Sequence, residues 1–527
     1  MTSAFTRAGG VVVAVALLAA CTGGGEPVTP SSTPTPTAST TAEASSAEPV
    51  VVQALLDGET VDLEVGPLAV HDGAAVLRLA APTSYSTLAM AFWHVYESIA
   101  SPAPNGVRLV DLEAGTVTRV LRSTDDRVVA TRNGSPEGPA TEAADAAVGE
   151  DTTIVYAAFP VPDTATVDVL LPEVGWVQDV AVVPASQAGT LTVPPAELVE
   201  GSLGEAETFV LEEFSEAHDG NVRARRTTEQ VAVTVASDVL FAFDSDRLAP
   251  EADGALQTAA AQVAAHGAGE LAVVGHTDDQ GDEPYNVDLS QRRAATVAAR
   301  LAELTDLTAF DVTVEGRGES QPVVAGTGDA ERALNRRVEL VLVPDVAADA
   351  AAVDVVEESG SLPEPAGPSA PGATGLSVVD GDRSFDVRLP EVRRIGRYLV
   401  GALEVTNTGS DDLSLGSLAG SAWDSRGSFD ARLQFAPTNV TLVSSSTRWY
   451  PVDYLSDPEN DRRDPLTDRI VNGIGPGEVR TVTVVWPDPG TDTVTVDVAP
   501  RFRGGKGQIQ VAGRSPFRLT DVPVVSG

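Results

Sequence analysis

Hydrophobic residues change period twice along this chain, and the changes divide it into regions that cannot share one folding pattern. From about residue 231 to 345, strand-like and helix-like segments alternate. Residues 239–243, 271–274, 312–315 and 338–343 read as strands. Residues 252–266, 289–304 and 330–336 read as helices, with Leu256, Ala260 and Val263 at helical spacing in the first. On either side the texture is different. Residues 49–200 and 375–527 carry short alternating runs, such as Val107-Arg108-Leu109-Val110 and Thr481-Val482-Thr483-Val484-Val485, punctuated by Gly, Pro and Asp. The predicted architecture is multidomain: a central α/β domain (βαβαβαβ, helices packed on one mixed sheet) flanked by two mainly-β, sandwich-like domains.

The flanking regions share a pattern. Phe159-Pro160-Val161-Pro162 precedes Thr166-Val167-Asp168-Val169, with Val180-Ala181-Val182 after it. Trp486-Pro487-Asp488-Pro489 precedes Thr495-Val496-Asp497-Val498, with Val522-Pro523-Val524 after it. A diverged duplication explains both series; coincidence is the alternative. Residues 201–230 read as a connecting segment. Residues 346–374, with Leu362-Pro363-Glu364-Pro365 and Pro368-Ser369-Ala370-Pro371, read as a second linker.

The N-terminus reads as an export signal over residues 1–20. Arg7 is its basic residue, and residues 11–20 form an apolar run too short to span a bilayer. The run ends in Leu18-Ala19-Ala20-Cys21, which resembles the bacterial lipobox, in which Cys is acylated and becomes the mature N-terminus. A plain secretory signal is the alternative. Cys21 is the only Cys, so no internal disulfide can form. Residues 21–48 are rich in Thr, Ser and Pro and read as an extended tether, reaching up to roughly 80 Å at ~3.1 Å per residue.

Lys plus Arg is 35 against 76 for Asp plus Glu, a formal net charge of −41. A chain so acidic repels phosphate backbones, which argues against nucleic acid as a partner.

In the helix predicted from Leu289, positions 289, 293, 297, 301 and 304 share a face: Leu, Arg, Val, Leu and Leu. A guanidinium within an apolar stripe is costly unless an anion meets it. Arg293 also lies near a helix N-terminus, which favours anions. Asp278 follows a strand end. The two residues read either as an internal salt bridge or as a pair flanking a ligand that carries both charges.

Several motifs in order then point to a family. They are Val239-Leu240-Phe241-Ala242-Phe243-Asp244-Ser245, Gly275-His276-Thr277-Asp278, Leu289-Ser290-Gln291-Arg292-Arg293-Ala294, Gly316-Arg317-Gly318-Glu319 and Asn335-Arg336-Arg337-Val338-Glu339-Leu340. Residues 231–343 thus resemble the OmpA-like peptidoglycan-binding domain. The resemblance implies that Asp278 accepts hydrogen bonds from the side-chain ammonium of diaminopimelate in the peptidoglycan stem. It implies that Arg293 pairs with a carboxylate of the same residue. Asn286 and Arg336 fall at further contact positions, with Thr277 and Asn335 beside them. Phe241 and Phe243, alternating in a strand, read as core. Arg337 and Glu339 read as charges that hold the fold, and His276 as a structural residue at a strand end.

No catalytic signature, cofactor loop or metal-ligand spacing is visible. The expectation is a non-catalytic envelope lipoprotein that needs no cofactor, binds peptidoglycan, and is held by lipid on Cys21 at the extracytoplasmic face of a membrane. Other envelope proteins are candidate partners for the flanking domains. The alternative is an envelope enzyme or ligand-binding protein whose activity lies in a flanking domain, with the central domain only localising it.

Overall fold

Val231, Val233 and Val235 sit on one face of an extended run, and all three are buried. Alternation of this kind makes a strand that buries one face. In the computed structural model this run, Val231–Ala236, is the first strand of the family-like sheet. The structure describes residues 48–56, 58–93, 103–131, 152–345, 361–381, 383–414, 418, 436–459, 462–467, 473–500 and 515–526. The predicted signal at 1–20, Cys21 and nearly all of the 21–48 tether lie outside these. Among the described residues no helix is long and apolar enough to cross a membrane.

The central elements are β1 (Thr208–Ala217), β2 (Val222–Arg226), β3 (Val231–Ala236), α1 (Ala252–Ala264), β4 (Gly269–His276), α2 (Glu283–Leu304), β5 (Phe310–Gly318), α3 (Asp329–Asn335) and β6 (Arg337–Pro344). The sheet order is β1-β2-β3-β6-β4-β5. All neighbours are antiparallel except β4 and β5, whose parallel pairing is bridged by α2. One core joins Leu256, Ala260 and Val263 of α1, Val297 and Leu301 of α2, and the inward residues Leu271, Val273, Val338, Leu340 and Leu342 of the sheet. Each such aliphatic side chain contributes roughly 1.5–3 kcal/mol by leaving water.

Sequence and structure differ in several places. The strand predicted over 239–243 is absent. Residues 231–236 take the sheet position, and Ser237–Leu240 make a single helical turn. Once the chain has left the sheet, alternation no longer dictates burial: Phe241 is 3% exposed but Phe243 is 100% exposed. Phe243 is therefore not core. The second difference is that 201–230 holds two strands rather than a plain connection. β1 pairs with β2, with the Thr116–Arg119 strand of the first flanking region, and with the Thr447–Trp449 and Asp453–Asp457 strands of the second. Third, part of the predicted 346–374 linker is built into the fold. Residues 346–360 lie outside the described residues, but Ser369–Pro371 pairs parallel with Phe517–Ser526. Proline can occupy an edge strand, where its missing N–H leaves no ladder bond unmade.

The flanking regions share one strand order. In the first, Glu59–His71 pairs with Ala74–Ala81, which pairs with Thr153–Phe159. Glu59–His71 also runs parallel to Gly175–Pro184. The ladder then passes through Thr166–Leu171, Arg108–Asp111 and Thr116–Arg119 to β1. In the second, Arg383–Arg388 and Val392–Ile395 pair with Tyr398–Asn407, which pairs with Val479–Pro487. Val392–Ile395 runs parallel to Phe517–Ser526. The ladder then passes through Thr493–Val498, Val440–Val443 and Thr447–Trp449, again to β1. The same order, with a parallel step at the corresponding place in each, supports the duplication reading.

Each flanking region has its own core, and a further cluster joins them. Val110, Leu112, Val117 and Leu170 of the first pack with Leu211 of β1 and with Tyr398, Val452, Tyr454, Leu466 and Val485 of the second. Buried ion pairs cross the same junction: Arg480 with Glu173 at 3.5 Å, Arg463 with Glu212 at 2.5 Å, and Arg397 with Glu213.

Candidate functional site

The site lies where β4 and β5 end and α2 begins. Close contact between α2 and the strands sets its geometry. Gly318 has φ +53°, a conformation glycine takes without steric cost, and its N–H donates to Ser290 Oγ at 3.0 Å. Helix α2 begins at Glu283, earlier than the predicted 289, with Pro284 in its first turn, where a missing N–H costs nothing. This extra turn carries Tyr285 and Asn286 to the loop that follows β4.

Asp278 sits in that loop, its side chain 13% exposed. One carboxylate oxygen accepts from Arg336 Nη1 at 2.7 Å, and the other from the Gln280 backbone N–H at 3.2 Å. Arg336, at the end of α3, forks onto Asp238 as well, through Nε at 2.8 Å and Nη2 at 2.6 Å. These contacts push the Arg336 pKa up, the hydrogen bonds to Asp238 contributing most. The internal ion pair of Asp278 is therefore with Arg336, not with Arg293. Arg336 arrives from α3 with its fork already facing both carboxylates, whereas Arg293 rises from beneath on α2.

Arg293 is 6% exposed. Its Nε donates to Ser245 O at 2.8 Å, and its guanidinium lies 5.2 Å from the centre of the Phe241 ring. Its Nη groups have no partner among the described residues. Burial lowers its pKa, and the charges of Asp238, Asp244 and Tyr285 oppose that shift. A largely buried guanidinium with free ends is a group that an anion can satisfy.

Asn286 is buried and acts as a brace. Its amide donates to Glu319 Oε2 at 2.7 Å and to Gln280 O at 3.1 Å. Thr277 is also buried; its N–H donates to Gly318 O, and its Oγ1 has no partner among the described residues. Asn335 is turned away: both ends of its amide bond the Val324 backbone, at 3.0 and 3.1 Å, and hold the loop before α3. The structure thus gathers Asp278, Arg336, Arg293, Asn286 and Thr277, and sets Asn335 behind them.

Two neighbours, Asp238 and Asp244, were not singled out from sequence, and a third, Phe243, was read as core. Asp238 anchors Arg336. Asp244, at a positive φ of 57° that Asp tolerates, accepts from the Tyr285 hydroxyl. Exposed Phe243 stands beside Asp244. The Phe243-Asp244-Ser245 motif was the available signal, but a strand reading hid it. Beneath the site, His276 Nε2 lies 3.6 Å from Glu339 Oε2. Burial would raise the Glu339 pKa, but His276 and Arg337 outweigh it and hold it at about 2.

A model of the OmpA family matches residues 240–336. The chain is 39% identical over 108 residues to the outer-membrane lipoprotein YfiB of Pseudomonas aeruginosa, covering 20% of this chain and 64% of that one. It is 34% identical over 113 residues to the peptidoglycan-associated lipoprotein of Pseudomonas putida, covering 21% and 67%. It is also similar to the solved cell wall anchor of the T6SS from Pseudomonas aeruginosa, at 32% identity over 24% of this chain and 89% of that one, with a TM-score of 0.22. The chain spans just under two thirds of the YfiB sequence, and the family match leaves both flanking regions outside it. Through its central region, the chain belongs to the OmpA family.

Proposed function

We propose that this chain is a non-catalytic envelope anchor whose central domain binds peptidoglycan. The observation that carries the reading is the buried Arg293 guanidinium with unpartnered ends, set among Asp278, Asp238, Asp244 and Arg336. A ligand carboxylate takes the free Arg293 fork. A ligand ammonium takes the lone pairs that Asp278 retains beside Arg336, since a carboxylate accepts more than the two bonds seen here. Diaminopimelate, with an amino and a carboxyl group at its side-chain end, has both charges at this scale. Arg336 positions Asp278, and Asn286 holds the loop. The name of the Pseudomonas putida relative, a peptidoglycan-associated lipoprotein, supports the same reading.

In this reading acyl chains on Cys21 hold the protein at the extracytoplasmic face of a membrane, and residues 21–48 let the body reach the wall. The flanking regions scaffold the site or engage other envelope proteins. The test is co-sedimentation of the full-length protein with purified sacculi. Arg293→Ala and Asp278→Ala each reduce binding by at least thirtyfold, matching the ~2–5 kcal/mol lost when one partner of a buried charge pair is removed. Unchanged sedimentation of both folded variants refutes the assignment.

A further inference from the structure

A second concave site lies away from the charged one. Residues of α1, β2 and β3 meet the second flanking region there, at Thr447, Trp449 and Pro487–Pro489. They enclose a cleft of about 470 Å³, within the ~300–1,000 Å³ range of small-molecule sites. Its floor is apolar, with Val222, Ala224 and Val233.

The charged side chains of its lining are already engaged, the cation Arg226 lying beside Glu213. Glu213 pairs with Arg397, Glu216 accepts from Tyr450 Oη at 2.6 Å, and Asp488 pairs with Arg394. What remains available is neutral. Trp449 packs by one side on the core of its own region, and its indole N–H has no acceptor among the described residues. The side-chain amides of Gln257 and Gln262, along α1, likewise have no partner among the described residues. Pro487 and Pro489 add flat apolar rings.

We propose that this cleft binds a neutral, amphipathic oligosaccharide. A pyranose ring offers an apolar face to the indole and hydroxyl or acetamido groups to two amides and an N–H. A ligand of net charge finds no free counter-charge here, and a purely apolar ligand leaves three polar groups unsatisfied. The site is separate from Asp278 and Arg293, so its failure would not touch the anchor reading.

The probe is chitotriose, titrated calorimetrically into the full-length protein, with tryptophan fluorescence as a second readout. Saturable binding is expected, weakened at least tenfold in Trp449→Ala and in the Gln257→Ala/Gln262→Ala double variant. Asp278→Ala should bind as wild type does. The double variant keeps the test decisive if Trp449→Ala fails to fold, because both glutamines lie on a helix surface. Absence of saturation, equal binding by the double variant, loss of binding in Asp278→Ala, or saturation by laurate instead of chitotriose would each overturn the proposal.

Discussion

Replacing Gly316 by Ala tests whether the contact between α2 and β5 sets the site. A Cβ at Gly316 would stand 2.4 Å from the backbone N of Gln291 and 2.6 Å from Val287 O. These are backbone atoms of α2, so no side chain can swing aside. Ordinary contact needs ~3.5 Å, so the helix must lift by about 1 Å. Such overpacking costs about 1–3 kcal/mol. The same helix carries Asn286 and Arg293, and a binding constellation tolerates only ~0.5 Å of displacement. Gly316→Ala should therefore lower the urea midpoint and weaken sacculus binding more than tenfold. Gly254→Ala is the control: it lies in α1 with nothing within 4 Å of its added Cβ. It should be neutral, or more stable by ~0.5–1 kcal/mol through helix propensity. If Gly316→Ala matches Gly254→Ala in both stability and binding, the packing argument is wrong.

Glu339 is held near pKa 2 in the folded protein against an ordinary value of 4.5. A depressed carboxylate stabilises above its unfolded pKa, and that stability is lost as pH falls through the folded one. The contribution, on the order of 3 kcal/mol, should fade from about pH 4.5 to pH 2. Glu339→Gln should flatten that part of the acid-denaturation curve relative to wild type. Phe243→Ser should leave the thermal midpoint unchanged, because the ring is fully exposed, whereas Phe241→Ala should cost ~3–5 kcal/mol; equal effects would contradict the burial seen here. Arg336→Met should weaken sacculus binding by freeing Asp278 from its position, with a smaller loss than Arg293→Ala; a larger loss would make Arg336 the ligand's own partner. Cys21→Ala should move the protein from the membrane pellet to the supernatant, and a variant that still pellets would overturn the lipid-anchor proposal.

The sequence made the helices of the central region legible because their apolar residues recur at helical spacing, as at Leu256, Ala260 and Val263. Strand position was less legible. Residues 231–236 and 239–243 both alternate, and only pairing with β6 decides between them. The fate of Phe243 followed from that choice. Asp278, Arg293 and Arg336 could be named from their motifs, but their pairing could not. Which carboxylate meets which guanidinium depends on the exit direction of α3, a tertiary fact. Asn335 adjoins Arg336 in the chain, yet its amide faces Val324, because consecutive residues at a helix end point in different directions. The role of 201–230 was hidden for another reason: a strand whose partners lie far along the chain leaves no local signature of them.

Strand β1 gives the proposed anchor a mechanical character. Hydrogen-bonded strands from the first flanking region, the central sheet and the second flanking region all meet on its ten residues. Tension applied at the proposed wall site would pass into a shared ladder rather than across a flexible joint. Ladder bonds loaded together along their strands resist shear collectively, whereas a hinge would yield one contact at a time. The body therefore transmits a pull as a stiff strut.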